Sequence, residues 1–404
     1  MNRCKHTGFA LTLILLSSLI GDSASGSGTP NAERPLVLAH YMPWYMAKPH
    51  NTIWGWHWTM NHFDPEKQVK GRRDIASHYY PLIGPYDSGD ADVLEYQLLT
   101  MKMAGIDGVI VDWYGLSKFR DYAFLHKNTQ RLVEQVERLG MKFAVCYEDQ
   151  TIPALVKAER IKESDRVSHA AEELKWLNKN WFKLNSYVRI DGKPALLSFG
   201  QTGLNDQEWT ECLKAADFAI SYFSEHHRRA SAIGAFDWPI PKQGLPANAK
   251  FRKNSKAWPF AVQVAFPRFV DVYKKAGLHD GYGLVEDKDG TTFRTSFSDA
   301  MKTGSAIVQI ATWNDWGEGT QIEPSKEYGY RDLEFVQKTQ RQVLGQGFKF
   351  TSGDLRLPAA LLKLRQNKSV PLEALDKAAA LLADGSVDMA RSVIERLTSR
   401  EPKP

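Results

Sequence analysis

Two carboxylates stand three residues apart after a strand-like apolar run near the end of the chain. In the stretch IVQIATWNDWGEGTQIEPS, residues 307 to 325, Asp315 and Glu318 lie among tryptophans and glycines. A core strand does not tolerate two acids, and Gly317 and Gly319 indicate a tightly shaped backbone. The pair is therefore a candidate for general acid–base chemistry, in which one carboxyl group donates a proton and another accepts one.

Similar groups of polar and aromatic residues follow several other apolar runs. Aromatic faces pack on sugar rings, carboxylates accept hydrogen bonds from hydroxyl groups, and cleavage of a glycosidic bond needs a proton donor and a second carboxylate. These groups therefore favour sugar chemistry, although a strand-end aspartate also caps helices and a tryptophan near a strand also fills a core. The residues are His40, Tyr41, Trp44 and Tyr45; Asp112, Trp113 and Tyr114; Tyr147, Glu148 and Asp149; Asp237 and Trp238; and Trp313, Asn314, Asp315, Trp316 and Glu318.

The apolar runs that carry these residues have the length of β-strands. Most are apolar on both faces, which is typical of parallel strands covered by helices. Helical patterns such as residues 90 to 105 and 128 to 140 lie between them, each ending at glycine. The alternation predicts an α/β protein with a (β/α)8 TIM barrel, and a doubly wound sheet is the alternative. The eight runs cover residues 36–41, 108–113, 143–148, 195–200, 218–223, 234–239, 261–266 and 306–313.

The chain divides by pattern into three parts. Residues 1 to 25 combine basic residues, an apolar run and small residues, as a secretory signal peptide does. Residues 34 to 348 form the predicted barrel, with a long aromatic loop at 46 to 90 that is expected to be functional. Residues 352 to 404 read as a small helical appendage that either packs on the barrel or docks a partner.

The signal predicts a secreted or periplasmic protein. Its apolar run, residues 9 to 21, is shorter than the roughly 20 residues that cross a membrane, so stable membrane insertion is not expected after cleavage, and an uncleaved anchor is the alternative. A net charge of +5 without a basic stripe argues against nucleic-acid binding. The predicted partner is a polysaccharide or oligosaccharide substrate.

No metal or other cofactor is predicted. The stretch EDKDGT lacks the acids of a calcium loop, the histidines lack zinc-type spacing, and no phosphate-binding loop or G-x-S-x-G elbow is present. Cys146 lies in an apolar run and is expected to be an ordinary core residue.

Four separated motifs resemble glycoside hydrolase family 99, the endo-α-mannosidases, and more distantly the family 71 α-1,3-glucanases. They are residues 74 to 115, AHYMPWY at 39 to 45, WHW at 56 to 58 and WNDWGEGTQIEP at 313 to 324. The resemblance covers about residues 34 to 345. It implies a TIM barrel and retaining cleavage within a chain of α-mannosides, in which the sugar 2-hydroxyl attacks the anomeric carbon.

The resemblance also implies roles for individual residues. Glu318 corresponds to the acid/base, and Asp315 stands where family 99 has the glutamate that acts on the 2-hydroxyl. Asp is shorter than Glu and Gly317 replaces a histidine, whereas family 71 has an Asp and a Glu at similar spacing. The predicted catalytic residues are Asp315 and Glu318, and the predicted substrate-binding residues are Glu148, His57, Trp58, Tyr41, Trp44, Asp112, Trp113, Tyr114, Tyr86, Asp237, Trp313 and Trp316.

Two functions follow from these observations. The first is an exported glycoside hydrolase that cleaves an α-linked glycan or related polysaccharide, endo-acting and retaining through the 2-hydroxyl. The second is a carbohydrate-binding protein on the same barrel with impaired catalysis, which the shorter Asp315 favours.

Overall fold

A computed structural model describes residues 34 to 399 of the protein, and the predicted signal peptide lies outside them. Eight parallel strands form a closed barrel, because β1 pairs with both β2 and β8 and β3 pairs directly with β4. The predicted TIM barrel is confirmed. The barrel strands are β1 (Leu36–Tyr41), β2 (Gly108–Trp113), β3 (Lys142–Glu148), β4 (Lys193–Phe199), β5 (Ser221–Glu225), β6 (Gly234–Phe236), β7 (Phe260–Ala265) and β8 (Ile307–Ile310).

Helices connect these strands everywhere except between β5 and β6, where residues 226 to 233 form a direct link. The helices are α1 (Trp56–Thr59), α2 (Ala91–Ala104), α3 (Tyr122–Arg138), α4 (Thr151–Lys157), α5 (Arg166–Asn180), α6 (Asp206–Ala216), α7 (Gly244–Asn254), α8 (Thr291–Met301), α9 (Arg331–Leu344), α10 (Leu357–Gln366), α11 (Leu372–Ala383) and α12 (Val387–Ser399). The 3₁₀ turns are Glu163–Asp165, Ser255–Ala257, Gly345–Gly347 and Asp354–Arg356, and the short strands outside the barrel are Gln68–Val69, Arg72–Arg73, Arg189–Ile190, Phe269–Val270 and Leu284–Val285.

Side chains alternate along each barrel strand between two apolar layers. One layer fills the barrel interior and includes Leu38 and Ile110. The other lies between the barrel and its helices and includes Val37 and Val109. This alternation decides which residues at the strand ends can face the axis of the barrel.

The C-terminal helices extend the outer layer: α10 and α11 pack on α2, and α12 packs on α10 and α11. Leu361 and Leu364 of α10 are buried in the same apolar cluster as Leu98 of α2. The Arg365 side chain donates to both carboxylate oxygens of buried Glu95, at 2.6 and 2.8 Å. The predicted helical appendage is therefore present and is tied to the barrel. No helix within residues 34 to 399 has the length and apolar character needed to cross a membrane.

Candidate active site

The loop after β8 holds Asp315 and Glu318 in one tight turn. The backbone N–H of Asp315 donates to Thr312 Oγ1 at 2.8 Å, and Asp315 Oδ1 accepts the backbone N–H of Glu318 at 3.0 Å. Gly319 has a φ of +67°, and a Cβ there would lie 2.7 Å from the carbonyl oxygen of Val270. Glycine is therefore required where the turn closes.

A buried carboxyl group, Glu323, supports this turn from below. It accepts hydrogen bonds from Tyr86 Oη at 2.7 Å, Gln97 Nε2 at 2.7 Å and Trp316 Nε1 at 3.1 Å. Burial raises the pKa of Glu323 to about 7, against the lowering effect of these three donors. The group connects the turn to α2 and to the long loop after β1.

Asp315 lies at the inner end of a cleft lined mainly by aromatic side chains. The inner cavity measures about 150 Å³ and shares four lining residues with an outer cavity of about 590 Å³. The two cavities therefore adjoin at these residues and are together called the cleft, and the outer one has the size of a typical small-molecule site. The inner cavity is lined by Trp44, Tyr45, Trp56, His57, Met60, Tyr114, Tyr273, Asp315 and Gly317.

The long loop after β1 supplies one wall of the cleft. The rings of Trp44 and His57 stack with centroids 4.2 Å apart and an interplanar angle of 6°. His57 Nε2 lies 3.5 Å from a carboxylate oxygen of Asp121, which precedes α3. Burial lowers the pKa of His57 despite the opposing effect of Asp121, which favours the neutral ring. The wall thus offers flat faces and few charges.

The two carboxyl groups of the turn after β8 have raised pKa values. Burial raises the pKa of Asp315 to about 7, against the lowering effect of backbone N–H groups. Burial and the charge of Asp315 raise the pKa of Glu318 well above its usual value, and Tyr273 Oη donates to Glu318 Oε1 at 3.3 Å. One ionised and one protonated carboxyl group can therefore coexist near neutral pH, which is the requirement of acid–base catalysis.

Two further predicted residues belong to the same charged neighbourhood. Asp112 and Glu148, at the ends of β2 and β3, are nearly fully buried. Burial raises the pKa of both, and the charge of Asp315 adds to the shift at Asp112. Within residues 34 to 399, no lysine or arginine forms an ion pair with either of them, with Asp315 or with Glu318.

Several residues predicted to bind substrate point away from the cleft. Tyr41 and Trp113 end their strands in the outer layer, where Tyr41 Oη donates to Gln97 and Trp113 Nε1 donates to His126. Trp313 is fully buried in the same layer. Strand alternation turns Tyr41 and Trp113 toward the helices, and none of the three lines either cavity of the cleft. Their role as substrate contacts stays a prediction.

Other predicted residues have supporting positions. Trp58 is fully buried and donates to the carbonyl oxygen of Tyr86, while Tyr86 and Trp316 are bound to Glu323. Asp237 accepts from Asn248 Nδ2 at 2.8 Å and lies 3.2 Å from His226 Nδ1. None of these four lines either cavity of the cleft. Of the predicted set, Trp44, His57, Tyr114 and Asp315 do.

Sequence reasoning missed Trp56, Tyr273 and Asp121. Trp56 belongs to the WHW motif, but a single helical turn directs it into the cleft and buries Trp58 instead. Tyr273 lies seven residues beyond Phe266, too far from β7 to be read as a strand-end residue. Asp121 precedes a helix, a position that ordinarily indicates only a cap.

Comparisons with known proteins agree with the motif-based resemblance. No family model matches the chain. A zebrafish (Danio rerio) glycoprotein endo-alpha-1,2-mannosidase-like protein is 22% identical over 336 residues, covering 74% of this chain and 73% of its own. A mouse (Mus musculus) protein of the same name is 34% identical over 86 residues, which are 19% of each chain.

Solved structures share the fold. The family 99 endo-alpha-mannosidase from Bacteroides thetaiotaomicron superposes with a TM-score of 0.59 at 16% identity, over 80% of this chain and 98% of its own. A glycoside hydrolase-like protein gives a TM-score of 0.53 at 13% identity, over 78% of this chain and 96% of its own. The resemblance of this chain to glycoside hydrolase family 99 is thus confirmed by both sequence and fold.

Proposed function

We propose that this chain, which resembles the family 99 endo-α-mannosidases in sequence and fold, is a glycoside hydrolase that cleaves within an α-linked glycan. The observation that carries the proposal is the Asp315–Glu318 turn. It places two carboxyl groups with raised pKa values beside a cleft with aromatic walls. Aromatic walls suit the faces of sugar rings, and glycosidic cleavage needs a protonated and an ionised carboxyl group together.

The proposed reaction proceeds with retention through the sugar 2-hydroxyl. Asp315 removes the 2-hydroxyl proton as the oxygen attacks the anomeric carbon, and Glu318 gives its proton to the leaving glycosidic oxygen. The product of this step is a 1,2-anhydro sugar. Water then opens it at the anomeric carbon, giving its proton to Glu318 while Asp315 returns a proton to the 2-oxygen.

The backbone supports this division of roles. Asp315 Oδ1 is occupied by the Glu318 N–H, and a donor to the carboxylate favours its ionised form. Among residues 34 to 399, the Glu318 carboxyl group accepts a hydrogen bond only from the Tyr273 hydroxyl, at 3.3 Å. It also lies close to the charge of Asp315, which favours its protonated form. Asp315 therefore suits the base and Glu318 the acid.

The competing function is sugar binding without efficient turnover. Asp315 is itself part of the turn, so its reach toward a 2-hydroxyl is limited by the Thr312 and Glu318 contacts. A misplacement of about 1 Å can cost on the order of 100-fold in rate. Both functions use the same cleft to bind sugar, and only the hydrolase also cleaves the bound glycan efficiently.

A product screen separates the two. The purified protein and its Glu318→Gln variant are incubated with α-mannans, α-glucans and high-mannose glycans, and the released oligosaccharides are identified. Release by the native protein that is lost in the variant supports the hydrolase. Glycan binding by both proteins without release from any substrate would support the binding protein instead.

Export to the periplasm or the medium is part of the proposal, on the basis of the signal-like residues 1 to 25. Fractionation of the producing cell tests it. The protein is expected outside the cytoplasm, with its N-terminus near residue 25 or 26. Retention in the cytoplasm with an intact N-terminus would contradict this part without affecting the catalytic proposal.

A further inference from the structure

Three side chains of types that ligate metals lie close together in the barrel interior. They are His40 of β1, Asp112 of β2 and Cys146 of β3, all nearly or fully buried. One ligand atom from each lies within 4.8 Å of the others. The three strands are neighbours in the barrel, and Asp112 is directly paired with Cys146 in the β2–β3 register.

The imidazole of His40 is oriented as a ligand. Gln309 Nε2 donates to the carbonyl oxygen of Asp237 at 3.1 Å, which fixes the amide so that its oxygen faces His40. That oxygen lies 3.3 Å from His40 Nδ1, so Nδ1 carries the proton and Nε2 carries a lone pair. Nε2 is buried and has no hydrogen-bond partner in the part of the chain that the structure describes. Metal-bound histidines are commonly held in this way by a second acceptor.

Asp112 contributes a second possible ligand atom that has no hydrogen-bond partner among the described residues. Its Oδ1 is buried and accepts no hydrogen bond from residues 34 to 399. Buried polar atoms are normally satisfied, so these two atoms, beside a thiol, are available to a shared ligand. The charges of Asp315 and Glu148 act on the same site, and no lysine or arginine of the described chain pairs with either.

We infer that His40, Asp112 and Cys146 bind a divalent cation of the zinc class. Thiolate, imidazole and carboxylate are the ligands that zinc uses, and three protein ligands with a fourth position for water are usual in open zinc sites. In a tetrahedral shell the donor atoms lie about 3.5 Å apart, so the side chains close inward by roughly 1 Å on binding. The spacing of the three residues along the sequence does not reveal this site, because each comes from a different strand.

Cobalt(II) titration under reducing conditions tests the inference, because cobalt bound by a thiolate absorbs through a sulfur-to-metal charge-transfer band. We expect the full protein to bind one Co²⁺ per chain with this band, and Zn²⁺ to displace it. Cys146→Ser is expected to lose the band and about 100-fold or more in affinity, since even changes around the ligands cost 10- to 100-fold. Cys212→Ser is the matched control, because Cys212 is equally buried and free but lies in α6.

A second variant and a folding control allow the cobalt titration to be interpreted even if Cys146→Ser does not fold. Asp112→Asn should weaken Co²⁺ binding while keeping the band, and it serves if Cys146→Ser does not fold. Circular dichroism without metal shows whether each variant is folded. Absence of the band in the native protein, or a band that persists in Cys146→Ser, would overturn the inference. Neither result depends on whether any glycan is cleaved.

Discussion

The two ends of the barrel differ in both cavity size and charge. At the amino-terminal ends of β7 and β8 lies the larger cavity, about 870 Å³, lined by Lys253, Lys256 and Lys302. There Arg252 is paired with Asp299 at 2.9 Å. At the opposite end, the smaller cleft is lined by Asp315. Within residues 34 to 399, neither Asp315 nor buried Asp112, buried Glu148 or half-buried Glu318 forms an ion pair with a lysine or arginine. The proposed site of chemistry therefore follows from strand direction and from carboxyl groups without cationic partners in the described chain, and not from cavity volume.

The sharpest test of this difference is a pair of substitutions, one at each end. In Asp315→Asn the amide oxygen can still accept the Glu318 N–H, so the turn is kept while the base is removed. We expect kcat to fall by about 100- to 10,000-fold, the usual contribution of a general base. Lys302→Ala at the other end should leave kcat unchanged. Equal losses in both variants would show that the two ends are not functionally distinct.

The next largest effect concerns the support below the turn. Glu323→Ala leaves the donors of Tyr86 and Gln97 buried without an acceptor, while Trp316 Nε1 keeps only a 3.3 Å hydrogen bond to Tyr86 Oη. Each donor without an acceptor costs about 1–3 kcal/mol, so we expect the free energy of unfolding to drop by about 2 kcal/mol or more. Urea unfolding measures this drop. The control is Glu334→Ala, which removes an exposed ion pair with Arg356 that is worth at most about 1 kcal/mol.

The pH dependence of kcat/KM tests whether the unpaired acids work as assigned. Asp315 must be ionised, and its pKa is raised to about 7. The rate should therefore fall by about tenfold for each pH unit below 7. At higher pH it should fall again as Glu318, whose pKa is raised well above the usual value, loses its proton. A rate that increases steadily from pH 7 down to pH 5 would contradict the assignment of Asp315 as the base.

The smallest expected effect is at Tyr273. Tyr273→Phe removes the hydroxyl that donates to Glu318 at 3.3 Å. A hydrogen bond of this kind is worth about 0.5–1.5 kcal/mol, so kcat/KM should change by about tenfold or less. Because the donor stabilises ionised Glu318, the alkaline limb of the pH profile should move to higher pH. Tyr282→Phe, a nearby exposed tyrosine, is the control and should leave both quantities unchanged.

The sequence predicts the fold better than the site because the two depend on different interactions. Apolar runs such as Gly108–Trp113 must pair in a parallel sheet, whatever their exact neighbours. The same runs place Asp112 on the inside and Trp113 on the outside, so strict alternation would have removed Trp113 and Tyr41 from the predicted site.

The loops are the part that the sequence predicts least. Trp56 enters the cleft and Trp58 leaves it because of one helical turn, and no local pattern distinguishes the two tryptophans. Tyr273 reaches Glu318 from a loop whose course is set by the Val270–Glu318 and Val272–Gly317 backbone hydrogen bonds. Such contacts across long sequence separations exist only in the folded chain.

The pairing of Arg365 with Glu95 affects how the protein is made. Glu95 precedes Arg365 by 270 residues, so a ribosome synthesises α2 long before the helices that cover it. Until then, the face of α2 that binds α10 lacks that apolar partner, and among the described residues Arg138 is the other arginine that pairs with Glu95. Folding of this side of the barrel is therefore completed after the C-terminal helices emerge, and until then the nascent chain exposes apolar surface of the kind that makes incompletely folded chains prone to aggregation.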